Sequence, residues 1–206
     1  MLEEILRRDA EISRAMAVPS LEFCNGWLDL RTVFLVIEWS VHGIPWLIGV
    51  SVATFVAFRH NWKFSTQYKL AVLGFGILLD LGLVGLIKIS VRRNRPPYNR
   101  DDQIYEAPVA DKYSFPSGHS SRAAMLTVFA ITLCENVSLL YLIPFAIVFP
   151  IVLGTSRIIM GRHYVSDVIA GLTLGCVEAF IALQLPHVVV KCCARLMNKV
   201  LDSIGL

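Results

Sequence analysis

The sequence predicts an all-α fold: a polytopic transmembrane helical bundle of about five spans, preceded by an amphipathic N-terminal helix. Three observations carry that expectation. Hydrophobic residues make up 55% of the chain and charged residues only 17%, more apolar surface than a soluble core of 206 residues hides. The apolar residues come in long runs rather than scattered along the chain. Short polar seams and long polar connections, one of them rich in Pro and charge, separate those runs. The length suits a single domain over 1–206, with 1–30 as leader, 31–186 as helical core and 187–206 as C-terminal tail. A net charge of +3 is too small to argue for nucleic acid, and no nucleic-acid partner is expected.

Taken in order, the N-terminal MLEEILRRDAEIS has no continuous apolar stretch and is not expected to be a cleavable signal. Leu2, Ile5, Leu6, Ile12 and Met16 form a helical stripe, with Glu3, Arg7, Arg8, Glu11 and Arg14 elsewhere on the wheel. Such a helix lies on a bilayer surface or packs against the domain. A crossing helix needs about 20 mainly apolar residues. Five segments answer that need: 33–58, 69–91, 119–135, 138–157 and 165–186. The first holds Glu38, His42, Gly43 and Pro45, and is expected to be kinked or to form a re-entrant pair. Residues 92–118, RRNRPPYNRDDQIYEAPVADKYSFPSG, form a loop by their Pro and charge content. The five cysteines show no metal-ligand spacing, and Cys192-Cys193 after the last span is a weak signal for S-acylation.

Following the chain through the bilayer brings distant segments together. If the second span ends at Lys88, then spans three and four leave and return, so loop 92–118 shares a face with the polar island GTSRIIMGRHYVSD, residues 154–167. Single crossings also put the N-terminus on that face and the C-terminus opposite. The shared face carries more Lys and Arg than the other, even with Lys88, Arg95 and Arg157 set aside, which favours a cytoplasmic assignment.

Three groups converge there. Lys88 and Arg95 are two helical turns apart, about 10.5 Å along an axis, before Pro96-Pro97 stops the helix. Pro116-Ser117-Gly118-His119 feeds the third span, with Ser117 as N-cap and Gly118 leaving the first-turn amides open to an anion. His163 and Asp167 are i and i+4, neighbours on one helical face, with Ser156-Arg157 closing the span before them. Each group alone has an ordinary explanation: snorkelling cations, a capped helix, a structural His–Asp pair. Together they crowd Lys88, Arg95 and Arg157 around two imidazoles at the edge of hydrocarbon, an arrangement that calls for an anion, and phosphate fits it. Within such a pocket His163, oriented by Asp167, is placed to attack phosphorus, and His119 to protonate the departing oxygen. Lys88, Arg95, Arg157 and the Ser117 and Gly118 amides would hold the phosphate oxygens.

These residues resemble the type 2 phosphatidic acid phosphatase superfamily of lipid phosphatases and vanadium haloperoxidases. Its signature, K-x6-R-P, P-S-G-H and S-R-x5-H-x3-D, stands here without substitution as Lys88 to Pro96, Pro116 to His119, and Ser156-Arg157 through His163 to Asp167. The resemblance implies a nucleophilic His163 partnered by Asp167, a general acid/base in His119, phosphate ligands in the rest, and neither metal nor cofactor. Residues 35–46 (LVIEWSVHGIPW) and 113–125 (YSFPSGHSSRAAM) look like the animal polyisoprenoid diphosphatases, also called presqualene diphosphate phosphatases. That likeness implies isoprenoid diphosphate substrates such as presqualene, farnesyl and geranylgeranyl diphosphate, and a place in the endoplasmic reticulum and nuclear envelope membrane. Many relatives have six spans, against the five counted here, and those diphosphatases have a longer N-terminal tail. The alternatives are a broad phosphatidate, lysophosphatidate or sphingosine phosphate phosphatase and, from another class, a non-catalytic lipid-binding or anion-transport protein. The expected partners are a lipid substrate and the bilayer itself, and the oligomeric state is unknown from sequence.

Overall fold

A computed structural model describes residues 1–18, 30–99, 112–134 and 137–203. The elements of the described chain are all α-helices: α1 Leu2–Met16, α2 Leu30–Ser40, α3 Gly43–Arg59, α4 Phe64–Val91, α5 Gly118–Leu133, α6 Leu139–Ile159, α7 Val165–Leu183 and α8 His187–Ser203. The predicted all-α bundle is what the structure shows. Four segments are long and apolar enough to cross a membrane: Arg31–Arg59, Phe64–Val91, Leu139–Ile159 and Val165–Leu183. The expected span at 119–135 falls short of that measure. As α5 it has 16 residues, a rise of about 24 Å against the about 30 Å of a hydrocarbon core. Its buried residues include Ser120, Ser121 and Arg122, and it packs against α4, α6 and α7, so it is the bundle's central helix.

The first span is broken between α2 and α3, where His42 takes an extended conformation (φ −66°, ψ 132°). Pro45, in the first turn of α3, needs no helical amide partner there. Carbonyls freed by the break find donors within the protein: the Trp46 indole reaches the Ser40 carbonyl at 2.7 Å, and Arg122 reaches that of Val41 at 2.8 Å. The chain nevertheless advances steadily. Gly43 abuts Leu81 and Arg122, Val41 packs with Leu153, Glu38 meets Arg157, and Phe34 clusters with Met160. Residues 33–58 are therefore one kinked crossing rather than a re-entrant pair.

Helices α5 and α7 touch along their backbones. A Cβ on Gly171 would collide with the Ser117 carbonyl, and one on Gly175 with that of Ser121. Deeper in the bundle Arg122 of α5 pairs with Asp80 of α4, while Ser121 donates to Glu178 of α7 at 2.9 Å. All of these side chains are buried. At the far end α8, which lies in the stretch expected only as a tail, packs on α3 and α4: Asn198 donates to the Phe58 carbonyl at 3.1 Å. The expected leader is helix α1, docked on α6 and α7 at the opposite end, where the Val18 amide reaches the Ile159 carbonyl at 2.9 Å. The remainder of the leader, 19–29, lies outside the described residues.

Candidate active site

At the end of the bundle where α1 docks, α4 finishes, α5 begins and α6 turns into α7. The loop leaving α4 is drawn back on itself. The Ser114 amide donates to the Arg93 carbonyl at 2.9 Å, and Asn94 and Tyr113 form an isolated antiparallel bridge. Tyr98 then lies over Gly161, whose φ of +75° and missing Cβ admit the ring; a Cβ there would stand 2.9 Å from Tyr98 Cδ2. The predicted meeting of the loop with the 154–167 island is thus a direct contact.

Ser117 caps α5, its Oγ hydrogen-bonded to Ser120 Oγ at 2.8 Å and accepting the Ser120 amide at 3.4 Å. Its own amide donates to the Asp167 carbonyl at 3.0 Å. This corrects one expectation: the Ser117 amide is committed to α7 rather than presented to an anion, and the side chain is buried beneath. What Ser117 does is tie the Pro-Ser-Gly turn to the start of α7, which places His119 beside the His163 turn. Gly118 keeps the helix start within reach of α4, since a Cβ there would lie 3.2 Å from Val84 Cγ1. Asp80, Val84 and Lys88 share one face of α4, so buried Lys88 heads the stripe one turn beyond Val84, toward the site.

His163 and Asp167 are neighbours, as their spacing predicts. Their Nδ1–Oδ2 distance is 3.6 Å, an ion-pair rather than a hydrogen-bond separation. Asp167 is held by firmer contacts: Oδ2 accepts the Tyr164 amide at 2.9 Å and Oδ1 accepts from Arg93 at 2.7 Å. Burial pushes the His163 imidazole down to about 3, against the pull of Asp167 and with the help of Arg95 and Arg157. His163 is therefore neutral at physiological pH, its lone pair available.

The centre of the cluster is a carboxylate that the sequence marked only as an ionisable group within a span. Glu38 Oε2 stands 2.6 Å from Arg157 Nη1 and 3.6 Å from Arg162 Nη2, and its Oε1 stands 3.7 Å from His119 Nε2. His42, from the break after α2, faces His119 with ring centroids 6.0 Å apart and stacks on Trp39 at 4.9 Å. The crowding of cations read from the sequence is thus answered in part by the protein's own anion. His119, His163, Asp167, Arg95 and Arg157 come together here, with Ser117 buried beneath, Gly118 at the start of α5 and Lys88 buried near the end of α4. Glu38, His42, Arg162 and Arg93 join them. The first two carried a signal in being ionisable inside an apolar span; Arg162 stood in the polar island, and Arg93 carried none. Among the described residues no cluster of three or more His, Cys, Asp or Glu is placed to hold a metal.

Residues 69–191 match the model of the PAP2 superfamily. The chain is 36% identical over 132 residues to a protein of Arabidopsis thaliana described as a probable lipid phosphate phosphatase beta, covering 53% of this chain and 62% of that one. It is 32% identical over 146 residues to a lipid A 1-phosphatase of Rhizobium johnstonii, covering 63% and 57%. The aligned stretch thus spans only about six-tenths of these relatives' length. Its fold is similar to the crystal structure of a transmembrane PAP2-type phosphatidylglycerolphosphate phosphatase from Bacillus subtilis, with a TM-score of 0.61 and 26% identity over 87% of this chain and 85% of that one.

Proposed function

The chain belongs to the PAP2 superfamily, and on that footing we propose that it is a membrane lipid phosphatase working through a phosphohistidine on His163. The observation that carries this reading is the pairing of two imidazoles with two carboxylates, His163 with Asp167 and His119 with Glu38, beside Arg157 and Arg162. His163 presents Nδ1 to Asp167, so Nε2 is the attacking atom. It bonds to phosphorus as the P–O bond to the leaving group breaks, and His119 delivers a proton to that oxygen. Asp167 offsets the positive charge left on His163. Water then attacks phosphorus, His119 takes its proton, and the P–N bond breaks to release phosphate and neutral His163. Lys88, Arg95, Arg157 and the Gly118 amide hold the phosphate oxygens as charge builds, which is the larger catalytic contribution in sites of this kind.

The substrate we favour is an isoprenoid diphosphate such as farnesyl, geranylgeranyl or presqualene diphosphate, at the endoplasmic reticulum or nuclear envelope with the site facing the cytoplasm. Support comes from the segment 35–46, which carries the likeness to the polyisoprenoid diphosphatases and brings Glu38 and His42 into the cluster. Orthophosphate release from farnesyl diphosphate is expected to exceed that from phosphatidate in kcat/KM. The reverse order would move the assignment to a phosphatidate or lysophosphatidate phosphatase. His163→Ala should abolish turnover in a folded protein, and rapid quenching of wild-type enzyme should trap labelled phosphate on His163. Turnover by that variant would end the mechanism, and a folded wild-type protein without turnover would favour a binding or transport role instead. Activity should survive EDTA, and its loss would point to metal-assisted hydrolysis instead.

A further inference from the structure

Behind the nucleophile, on the side away from the cationic cluster, a second chain of charges runs from α7 to α1. Arg93 lies at its middle. Its Nη1 donates to Asp167 Oδ1 and to Ser166 Oγ, each at 2.7 Å, and its Nη2 donates to Asp9 Oδ2 at 2.6 Å. The guanidinium also lies over the Tyr164 ring, 3.8 Å from its centroid. Asp9 in turn accepts the Ser166 amide at 3.0 Å, and Ser13 Oγ accepts the Val165 amide at 2.9 Å. Two first-turn donors of α7, which a helix cannot satisfy for itself, are thus answered by side chains of α1.

We infer that Asp9 and Arg93 are positioning residues, through which α1 sets the aim of Asp167 and so of His163. This rests on the reading of His163 as nucleophile. Asp167 has two tasks: to stay ionised and to turn Oδ2 toward His163. Arg93 serves both by anchoring Oδ1 with a planar fork that fixes direction as well as charge. Unopposed, that cation would hold the carboxylate for itself and weaken its support of the imidazolium that forms on His163. Asp9 takes the other arm of the fork and shares the charge. The arrangement is well shielded, with the Asp9 side chain 9% exposed, Arg93 17% and Asp167 0%. Asp9 lies outside the three sequence blocks that carry the chemistry, and Arg93 stands in the first of them at a position its signature leaves open.

The test uses full-length purified enzyme with farnesyl diphosphate, reading kcat, KM and the rate of phosphoenzyme formation. Asp9→Asn keeps an acceptor oxygen for the Ser166 amide while removing the charge. It should lower kcat and phosphoenzyme formation about tenfold with KM held within about twofold, a scale set by small misplacement of a reacting group. Asp9→Glu should restore part of the loss. Arg93→Gln should cost more, and adding Asp9→Asn to it should cost nothing further, because the charge of Asp9 acts through Arg93 while the asparagine keeps the acceptor for the Ser166 amide. If Asp9→Asn does not accumulate, Arg93→Lys carries the test: it keeps the charge, loses the fork, and should lower kcat at constant KM. Wild-type kcat in Asp9→Asn or Arg93→Lys, a loss confined to KM, or multiplying losses in the double variant would overturn the inference. His163→Ala in the same assay separates the two claims, since its activity would sink the phosphohistidine and leave the role of Asp9 without its premise.

Discussion

Glu38 serves groups with opposed needs. It answers the charge of Arg157 and Arg162 and stands beside His119, so on the proposed mechanism it would compete with a phosphate for the arginines and would offset the charge of a protonated His119. Removing the charge with Glu38→Gln should therefore move two measurements in opposite directions. Inorganic phosphate should inhibit several-fold more tightly, and kcat should fall by about tenfold or more, the signature of a group whose ground-state and transition-state roles differ. An unchanged inhibition constant would show that Glu38 does not compete. His163 allows a second prediction, of stability. Its folded pKa of about 3 lies below the ordinary 6.5, so as pH falls through 6.5 the unfolded chain gains a proton that the folded chain refuses until about 3. Over that window His163 withdraws stability by at most about 1.4 kcal/mol per pH unit, and none further below it. Thermal midpoints measured from pH 7 to 4 should fall more steeply for wild type than for His163→Gln, and parallel curves would contradict the burial of a neutral ring.

Between elements, the contact that matters most for the site is that of α5 with α7, because it sets His119 against the His163 turn. Gly171 and Gly175 allow it, one helical turn apart, each facing a backbone carbonyl that has no freedom to move aside. Gly175→Ala should lower the thermal midpoint and the activity together, at an overpacking cost of about 1–3 kcal/mol or more. Gly82→Ala, on α4 with open space around the added carbon, is the control and should change neither. Either variant behaving like the other would remove the close crossing as the cause. This contact also shows what can be read from the chain and what cannot. The apolar runs located α4, α6 and α7, and the Pro-Ser-Gly turn gave the start of α5, since those signals are local. The position of the break before α3 was foreshadowed by Pro45, but the partners of Glu38 depend on how α2 slides along α6, a relation no periodicity encodes. The motif residues of the site were legible because their spacing is itself the signal. Ser117 was legible as a cap and misassigned as an anion donor, because the carbonyl that takes its amide comes from Asp167, fifty residues on. The dock of α1 on α7 rests on Asp9 and Ser13, which on a helical wheel are two polar residues among many.

For the molecule as a whole, the bundle separates a chemical end from a plain one, and buried charge holds the orientation. Asp80, Arg122 and Glu178 link α4, α5 and α7 within the interior; breaking such a link strands an uncompensated charge, which opposes any slippage of the helices that carry the site. At one end lie α1 and the His119–His163 cluster, and at the other the α3–α4 turn and α8, joined by Asn198 to Phe58 and by Arg59 to Asp202 at 3.5 Å. Helices α4, α6 and α7 each run between those ends, so in a bilayer the reacting cluster and α8 must face opposite compartments. Cys192, exposed on α8, gives a handle on this. A variant keeping Cys192 as its single cysteine would be reconstituted in sealed vesicles where insertion favours one orientation, then treated with an impermeant maleimide. Hydrolysis of an impermeant short-chain isoprenoid diphosphate added outside would be measured on the same vesicles, with detergent giving each total. The fraction labelled and the fraction of activity reached from outside should be complementary, one high where the other is low. Fractions that rise and fall together would place α8 and the site on one face, and the single kinked crossing of residues 33–58, on which the sidedness of α1 depends, would have to be redrawn along with the return of α7.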